Sequence, residues 1–400
     1  MVMSDIANSP LFDPLVLPCG AVLKNRIIKS AMSDSLGDGR GDPTDIQIRL
    51  YQRWAEGGAA AMIIGEVQGS PHFAEKPGNL VLSSDSDHPR FKELAAKGTS
   101  NGAQLWVQLG HAGAMAHPPI STPKGPSAID VPGLTCEALT LEEIRNIPKE
   151  FAATARKAQC LGFSGVQIHA AHGFLLSQFL SPLFNKRDDK YGGSIEARMR
   201  LLLEVVDEVR NAVDPAFVVA VKLNSNDQLN GGFEEAESLR VISTLNETQI
   251  DLIDISGGTY FPGAKSASDK VASGPYFLDF AKQARKRTDK PLMVTGGFKT
   301  LAQAAEAISS GDSDFVGLAR ALALYPNLPD QWLADDSFNP TFPKFSSPAE
   351  GAITAWYTMK LTQLGQDCEA EELPDLETIA EIYNQRDRER DTIWIDHFQT

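Results

Sequence analysis

The sequence predicts an α/β fold, a single (β/α)8 TIM barrel with an N-terminal hairpin plug and a C-terminal helical extension. Three observations predict it. Eight short apolar runs recur along the chain, each bounded by glycine, proline or a polar turn. Helical patterns fill the gaps between them. The chain has 400 residues, 42% hydrophobic and 22% charged, which is room for a barrel core and far too apolar for disorder. Strands buried on both faces read as near-continuous apolar runs, and each parallel crossover needs a covering helix. An open doubly wound sheet, the alternative, usually stops at about five to seven strands.

The elements follow in order. Residues 11–24 read as a hairpin turning near Pro18 and Gly20, placed to plug the N-terminal end of the barrel. Strands are expected over residues 26–31, 60–66, 103–109, 165–169, 217–223, 251–256, 291–296 and 314–318. Thr140 with Glu143 forms a capping box, followed by Ile144, Ile147, Phe151, Ala155 and Ala158 on one helical face. Ser194 precedes a second stripe through Leu201, Leu202, Val205 and Val209, and Gly232 is expected to open a third ending at Leu245. A helix over residues 349–364 belongs to a tail packed on the barrel. The expected division is residues 1–345 for hairpin and barrel and 346–400 for the helical extension.

Composition excludes several classes. Lys+Arg 37 against Asp+Glu 52 leaves a net charge of −15, which disfavours nucleic acid and anionic membrane surfaces as partners. No apolar run approaches the length of a membrane span, and residues 1–10 lack the basic start of a secretory signal, so a cytoplasmic location is expected. Cys19, Cys136, Cys160 and Cys368 are scattered without a C-x-x-C pair, which speaks against a disulfide framework, a zinc site or an iron–sulfur cluster. No metal is expected, and a homo-oligomer is compatible with the sequence.

Chemistry in such a barrel lies where strands end. Those ends carry Ala31, Met32 and Ser33, then Ala60 and Glu66, then Gln108 with His111 beyond it. His169 and His172 follow, then Lys222, Gly296 with Gly297, and Ala319 with Arg320. Two glycines let backbone N–H groups approach a ligand, Arg320 offers a planar cation, and loops after strands seven and eight are the usual phosphate site. A plain turn and a surface ion pair are the alternative. The histidines lack partners for a metal site and suit an oxygen on which negative charge develops. Lys222 reads as a counter-charge for an anionic ring or enolate, or as a solvated strand end. Gln108 suits the edge of a pyrimidine-like ring, or a surface turn.

At this point the residues resemble a known family. Residues 169–194, HAAHGFLLSQFLSPLFNKRDDKYGGS, are similar to the signature segment of the old yellow enzyme family of FMN-dependent oxidoreductases, most specifically in the run Asn185-x-Arg187-x-Asp189-x-Tyr191-Gly-Gly-Ser194. LKNRIIKSAMS, MIIGE, WVQLGHAG, VTGGF and DFVGLARALALYPNLP extend the likeness over about residues 10–335. The resemblance implies non-covalent FMN, reduced by NADH or NADPH, passing a hydride to a small molecule with an electron-poor double bond, a quinone or a nitro group. It implies that Ala31, Met32, Ser33 and Ala60 lie along the flavin ring and that Gln108 and Lys222 meet its polar edge. Gly296, Gly297, Ala319 and Arg320 would hold the phosphate, and His169 and His172 the substrate oxygen.

Two departures stand out. Where the family usually has a proton-donating Tyr, this chain has Phe174, so the proton must come from water or from another side chain such as Ser35 or Tyr260. Lys222 stands where the family usually has Arg. Ser33 also replaces a Thr or Cys. Two other readings fit the same residues: a flavin dehydrogenase or oxidase forming an unsaturated product, and a phosphate-binding barrel without redox turnover. The Pro- and Ser-rich loop over residues 116–136 and the segment 259–274 are expected to line the substrate entrance.

Overall fold

The protein is described here from a computed structural model covering residues 9–264, 274–345, 348–349 and 351–399. Eight parallel strands close into one barrel: β1 (Ile27–Lys29), β2 (Ala61–Gln68), β3 (Gln104–Leu109), β4 (Gly165–Ala170), β5 (Val218–Asn224), β6 (Leu252–Ser256), β7 (Leu292–Thr295) and β8 (Phe315–Leu318). Closure comes from β1, which pairs with β8 through Gly317↔Ile28 and with β2 through Ile28↔Ala61. All eight expected strands form, each within a few residues of its predicted ends. The crossover helices include α1 (Asp45–Glu56), α2 (His88–Gly98), α3 (Leu141–Cys160), α4 (Arg200–Ala212), α5 (Glu235–Asn246), α6 (Leu278–Ala284) and α7 (Leu301–Ser309).

Alternation along each strand sorts side chains into two cores. Met62, Ile64, Val107, Ile168, Val219 and Val221 point outward and pack under the helices. Ile28, Ala61, Ile63, Trp106, Val218, Ala220, Leu252, Met293 and Phe315 point inward and fill the N-terminal half of the barrel. The hairpin pairs Leu15–Val16 with Val22–Leu23 and turns at Gly20, whose φ of 89° suits glycine. Its Leu17 and Leu23 are buried in that inner core, so the hairpin closes the N-terminal end as expected.

Local signals hold with two shifts. Both bonds of the Thr140–Glu143 capping box form, and Ser194 caps a separate four-residue helix, Ile195–Arg198, that ends just before α4 and its stripe. Gly232 does not open α5; it lies in a turn, with its N–H donating to the Leu229 carbonyl at 3.1 Å. The N-cap is Glu234, which forms a reciprocal capping box with Glu237. The loop over residues 116–136 is more regular than its composition suggests, since Ile129–Val131 pairs with Leu134–Ala138.

After the barrel, α8 (Ala352–Gly365) packs beside α1, where Arg53 Nη1 donates to the Leu364 carbonyl at 3.1 Å. A 23-residue helix, α9 (Leu376–Phe398), then crosses to the loops that follow β1 and β2. Only Ile379, Asp387 and Trp394 along it are buried, so its sequence carries little periodic signal.

Truncating the plug tests this core. Leu23→Ala should destabilise the fold by about 2–5 kcal/mol, the usual range for a buried Leu. Urea unfolding followed by far-UV circular dichroism should show a lower midpoint at unchanged slope.

Candidate active site

Above the apolar half of the barrel the inward positions turn polar. Continuing the same alternation, β3 presents Gln108, β4 Gln167 and His169, β5 Lys222, β6 Asp254 and β7 Thr295. Asp254 is fully buried and ties this layer together. Lys222 Nζ lies 3.2 Å from Asp254 Oδ2, Gln167 Nε2 donates to the same oxygen at 3.1 Å, and Thr295 Oγ1 donates to Oδ1 at 2.6 Å. Gln108 Nε2 extends the chain by donating to Gln167 Oε1 at 2.6 Å. Lys222 and Gln108 are therefore buried, paired groups and not solvated strand or turn residues.

The histidines sit on the rim of this layer. Their rings are 5.3 Å apart and nearly perpendicular. His169 Nδ1 accepts from the Ala171 N–H, which leaves the proton on Nε2, and Nε2 lies 3.4 Å from Glu66 Oε1. His172 Nε2 meets Ser256 Oγ at 2.8 Å, and its own N–H donates to Asn224 Oδ1. Burial, reinforced by the Lys222 charge, holds His169 down at about 3 and His172 well below the usual imidazole value. Both are neutral donors at physiological pH. Glu66 stands at the end of β2 with φ of 67°, and burial lifts its carboxyl to about 8.

Phe174 is buried against Ala112 and Ala116, with its ring 5.0 Å from His169. Tyr260 reaches it because the two loops are knitted together: His172 bridges to Thr259, and the Tyr260 N–H donates to the His172 carbonyl. The Phe174 and Tyr260 rings are 5.6 Å apart. Ser35 is buried, and its Oγ has no hydrogen-bond partner among the described residues. Ala31, Met32 and Ser33 are partly exposed above β1, where Ser33 bridges to Gly65. Of the segment 259–274, residues 265–273 lie outside the described residues.

Gly296 and Gly297 follow β7 with φ of 107° and 86°, and a Cβ on Gly297 would come within 2.3 Å of the Gly274 carbonyl. Only glycine fits there. Ala319 and Arg320 begin a helix of five residues. Arg320 lies 5.2 Å above the Tyr357 ring and has no carboxylate within 4.0 Å among the described residues. Among the described residues it is not engaged in a surface ion pair.

One expected residue falls elsewhere. Ala60 is fully buried in the inner core of the N-terminal half, beside Leu17 and Leu23. β2 runs eight residues from Ala61, so Gly65 and Glu66, not Ala60, reach the mouth. The structure also adds groups to which the sequence reading assigned no role: Glu66, Glu75, Gln167, Asp254 and Tyr383. Gln167 and Asp254 were signalled by strand alternation. Tyr383, on α9, had no local signal.

A barrel with a buried cation–carboxylate layer, paired imidazoles and a glycine–arginine cradle at one mouth has the make-up of a cofactor-dependent oxidoreductase. The family model described as NADH:flavin oxidoreductase / NADH oxidase matches residues 10–334, and the chain belongs to that family, whose members use FMN reduced by NADH or NADPH. It is 35% identical over 352 residues to the NADH-dependent flavin oxidoreductase iliE of Hypocrea jecorina, covering 79% of this chain and 87% of that one. It is 32% identical over 330 residues to the NADPH dehydrogenase of Bacillus licheniformis, covering 81% and 94%. Among solved structures, the old yellow enzyme homologue from Zymomonas mobilis superposes with a TM-score of 0.72 at 25% identity, covering 83% of this chain and 94% of that one.

The buried titratable groups set a pH signature. Unfolded imidazoles bind protons below about pH 6.5, whereas His111 and His169 resist protonation down to about 3. Their contribution to stability is present above pH 6.5 and is lost as pH falls toward 3. Glu66 behaves oppositely: its proton is retained in the fold up to about pH 8, so its contribution falls as pH rises from about 4.5. Relative to the parent, Glu66→Gln should gain stability between pH 4.5 and 8. Urea midpoints at both pH values measure this.

Proposed function

We propose that the protein uses NADH or NADPH to reduce an electron-poor alkene conjugated to a carbonyl, with quinones or nitro compounds as further acceptors. The observation that carries this reading is the polar layer from Gln108 to Lys222, set under the His169–His172 pair and opening at the same mouth as Gly296, Gly297 and Arg320. The donor set suits FMN. Arg320 and the Gly296–Gly297 backbone, with Ala319, would hold the phosphate. Gln108 and Lys222 would face the polar edge of the ring, with Ala31, Met32 and Ser33 along it. Bound there, FMN supplies a hydride.

The side chains then divide the remaining work. His169 and His172, both neutral, donate hydrogen bonds to the acceptor's oxygen and draw charge away from its double bond. Lys222, anchored by Asp254, keeps a positive charge next to the developing anion. Phe174 excludes water from the rim but has no proton to give, so the carbon next to the carbonyl must be protonated by another group. The chain's acidity, with 52 acidic against 37 basic residues, argues for a small neutral acceptor and against nucleic acid.

Three outcomes test this. Purified protein should be yellow, and anaerobic bleaching by NADH against NADPH identifies the reductant; colourless protein unable to take up added FMN defeats the reading. Arg320→Ala should weaken FMN binding about 10–100-fold while leaving riboflavin affinity nearly unchanged, as expected for loss of one charged contact to phosphate. Replacing His169 and His172 together by Ala should lower turnover on a cyclohexenone-type acceptor by on the order of 10²–10³, as loss of donors to a developing oxyanion does.

A further inference from the structure

We propose that Tyr383, carried over the site by the chain's own C-terminal helix, is the proton donor that Phe174 cannot be. The proposal rests on the alkene-reductase reading above.

Helix α9 is fastened to the loops at the barrel mouth. Arg390 Nη1 donates to the Ser35 carbonyl at 2.6 Å after β1. Asp387 Oδ2 lies 3.7 Å from Lys76 Nζ after β2, and Asp391 lies 3.4 Å from His117 after β3. Trp394 is fully buried with Ala74, Val81 and Ile120. Tyr383 is one turn before Asp387 and so shares its face. Its ring lies 5.9 Å from Lys76 Nζ and 5.3 Å from the Arg386 guanidinium carbon. The phenol lies near Ser35, whose buried Oγ has no hydrogen-bond partner among the described residues, and near the Glu75 carboxyl. Tyr260, beside Phe174, faces the same Glu75 and Tyr383.

A general acid is left as an anion, so its surroundings decide between the candidates. Tyr383 also faces the Asp387 and Glu75 carboxyls, but it has two cations beside its ring, Arg386 at 5.3 Å and Lys76 at 5.9 Å, which with the neighbouring Ser35 hydroxyl would stabilise its phenolate. Tyr260 is flanked by Glu66, Glu75 and a second phenol, with no cation against its ring among the described residues, and the residue is 62% exposed. Ser35 alone is too weak an acid. Hydride addition at the β-carbon leaves an electron pair on the α-carbon. That pair takes the Tyr383 proton, so a C–H bond forms as the phenolic O–H breaks. Glu75, partly exposed, then returns a proton from solvent to the phenolate.

The test compares holoenzyme variants on an enone and on a quinone, whose reduction needs no proton at carbon. Tyr383→Phe should lower the ratio of enone to quinone turnover by about 10²–10⁴, and adding Phe174→Tyr should restore it to within about tenfold. In D2O the parent should label one face of the α-carbon, and Tyr383→Phe should lose that selectivity, a change that a merely structural role would not produce. The proposal is overturned if the ratio and the selectivity survive in Tyr383→Phe, or if Tyr260→Phe alone produces the loss. A parent enzyme that neither nicotinamide can bleach overturns this and the reading on which it rests.

Discussion

Asp254 is a carboxylate with no exposed surface, inside a barrel, and every neighbouring polar group is arranged around that fact. An isolated buried charge would cost several kcal/mol, and removing one partner from a buried pair typically costs about 3–5 kcal/mol. Lys222, Gln167 and Thr295 together offset it, and Gln108 is oriented in turn by Gln167. The layer that would meet a flavin is thus organised by its own hydrogen bonds. Its dipoles are in place without reorganisation, the condition under which electrostatic stabilisation of a developing charge is most effective.

The layer can exist because the barrel separates its two halves. The N-terminal half is filled by Trp106, Phe315, Met293 and the plug residues Leu17 and Leu23, which keep water away from Asp254 from below. The same alternation that buries these apolar groups turns His169, Lys222 and Gln108 toward the axis two or three residues later. Above them, loops from distant parts of the chain are tied together: His172 to Thr259, Ser35 to Arg390, and Lys76 to Asp387. The proposed reaction places binding, polarisation and proton delivery on different elements of this site. On that proposal, Phe174 beside the histidines need not abolish the chemistry.

Much of this was legible in the residues. The eight strands, the hairpin, the Thr140 and Ser194 caps and the two-glycine turn after β7 all depend on local rules of burial, capping and backbone freedom, and they appear where those rules put them. The Gly232 error arose from competition between a glycine turn and a capping box two residues later, which the Glu234–Glu237 pair won. Ala60 was misplaced because a continuously apolar run has no internal mark of where its strand enters the sheet, and β2 extends to Gln68. Asp254 and Gln167 were readable by counting in twos from the apolar positions.

What the sequence alone determined is the barrel and the residue types at its mouth, because period-two burial, helix caps and glycine conformations are decided within a few neighbours. Only the tertiary structure decided how the titratable groups are paired and what covers the site. Glu66 meets His169 across 103 positions of chain, and Arg390 meets Ser35 across nearly the whole protein. Contacts of that separation leave no periodic trace, since they depend on where a closed barrel brings its loops and on which face of a mostly solvated helix happens to be turned inward.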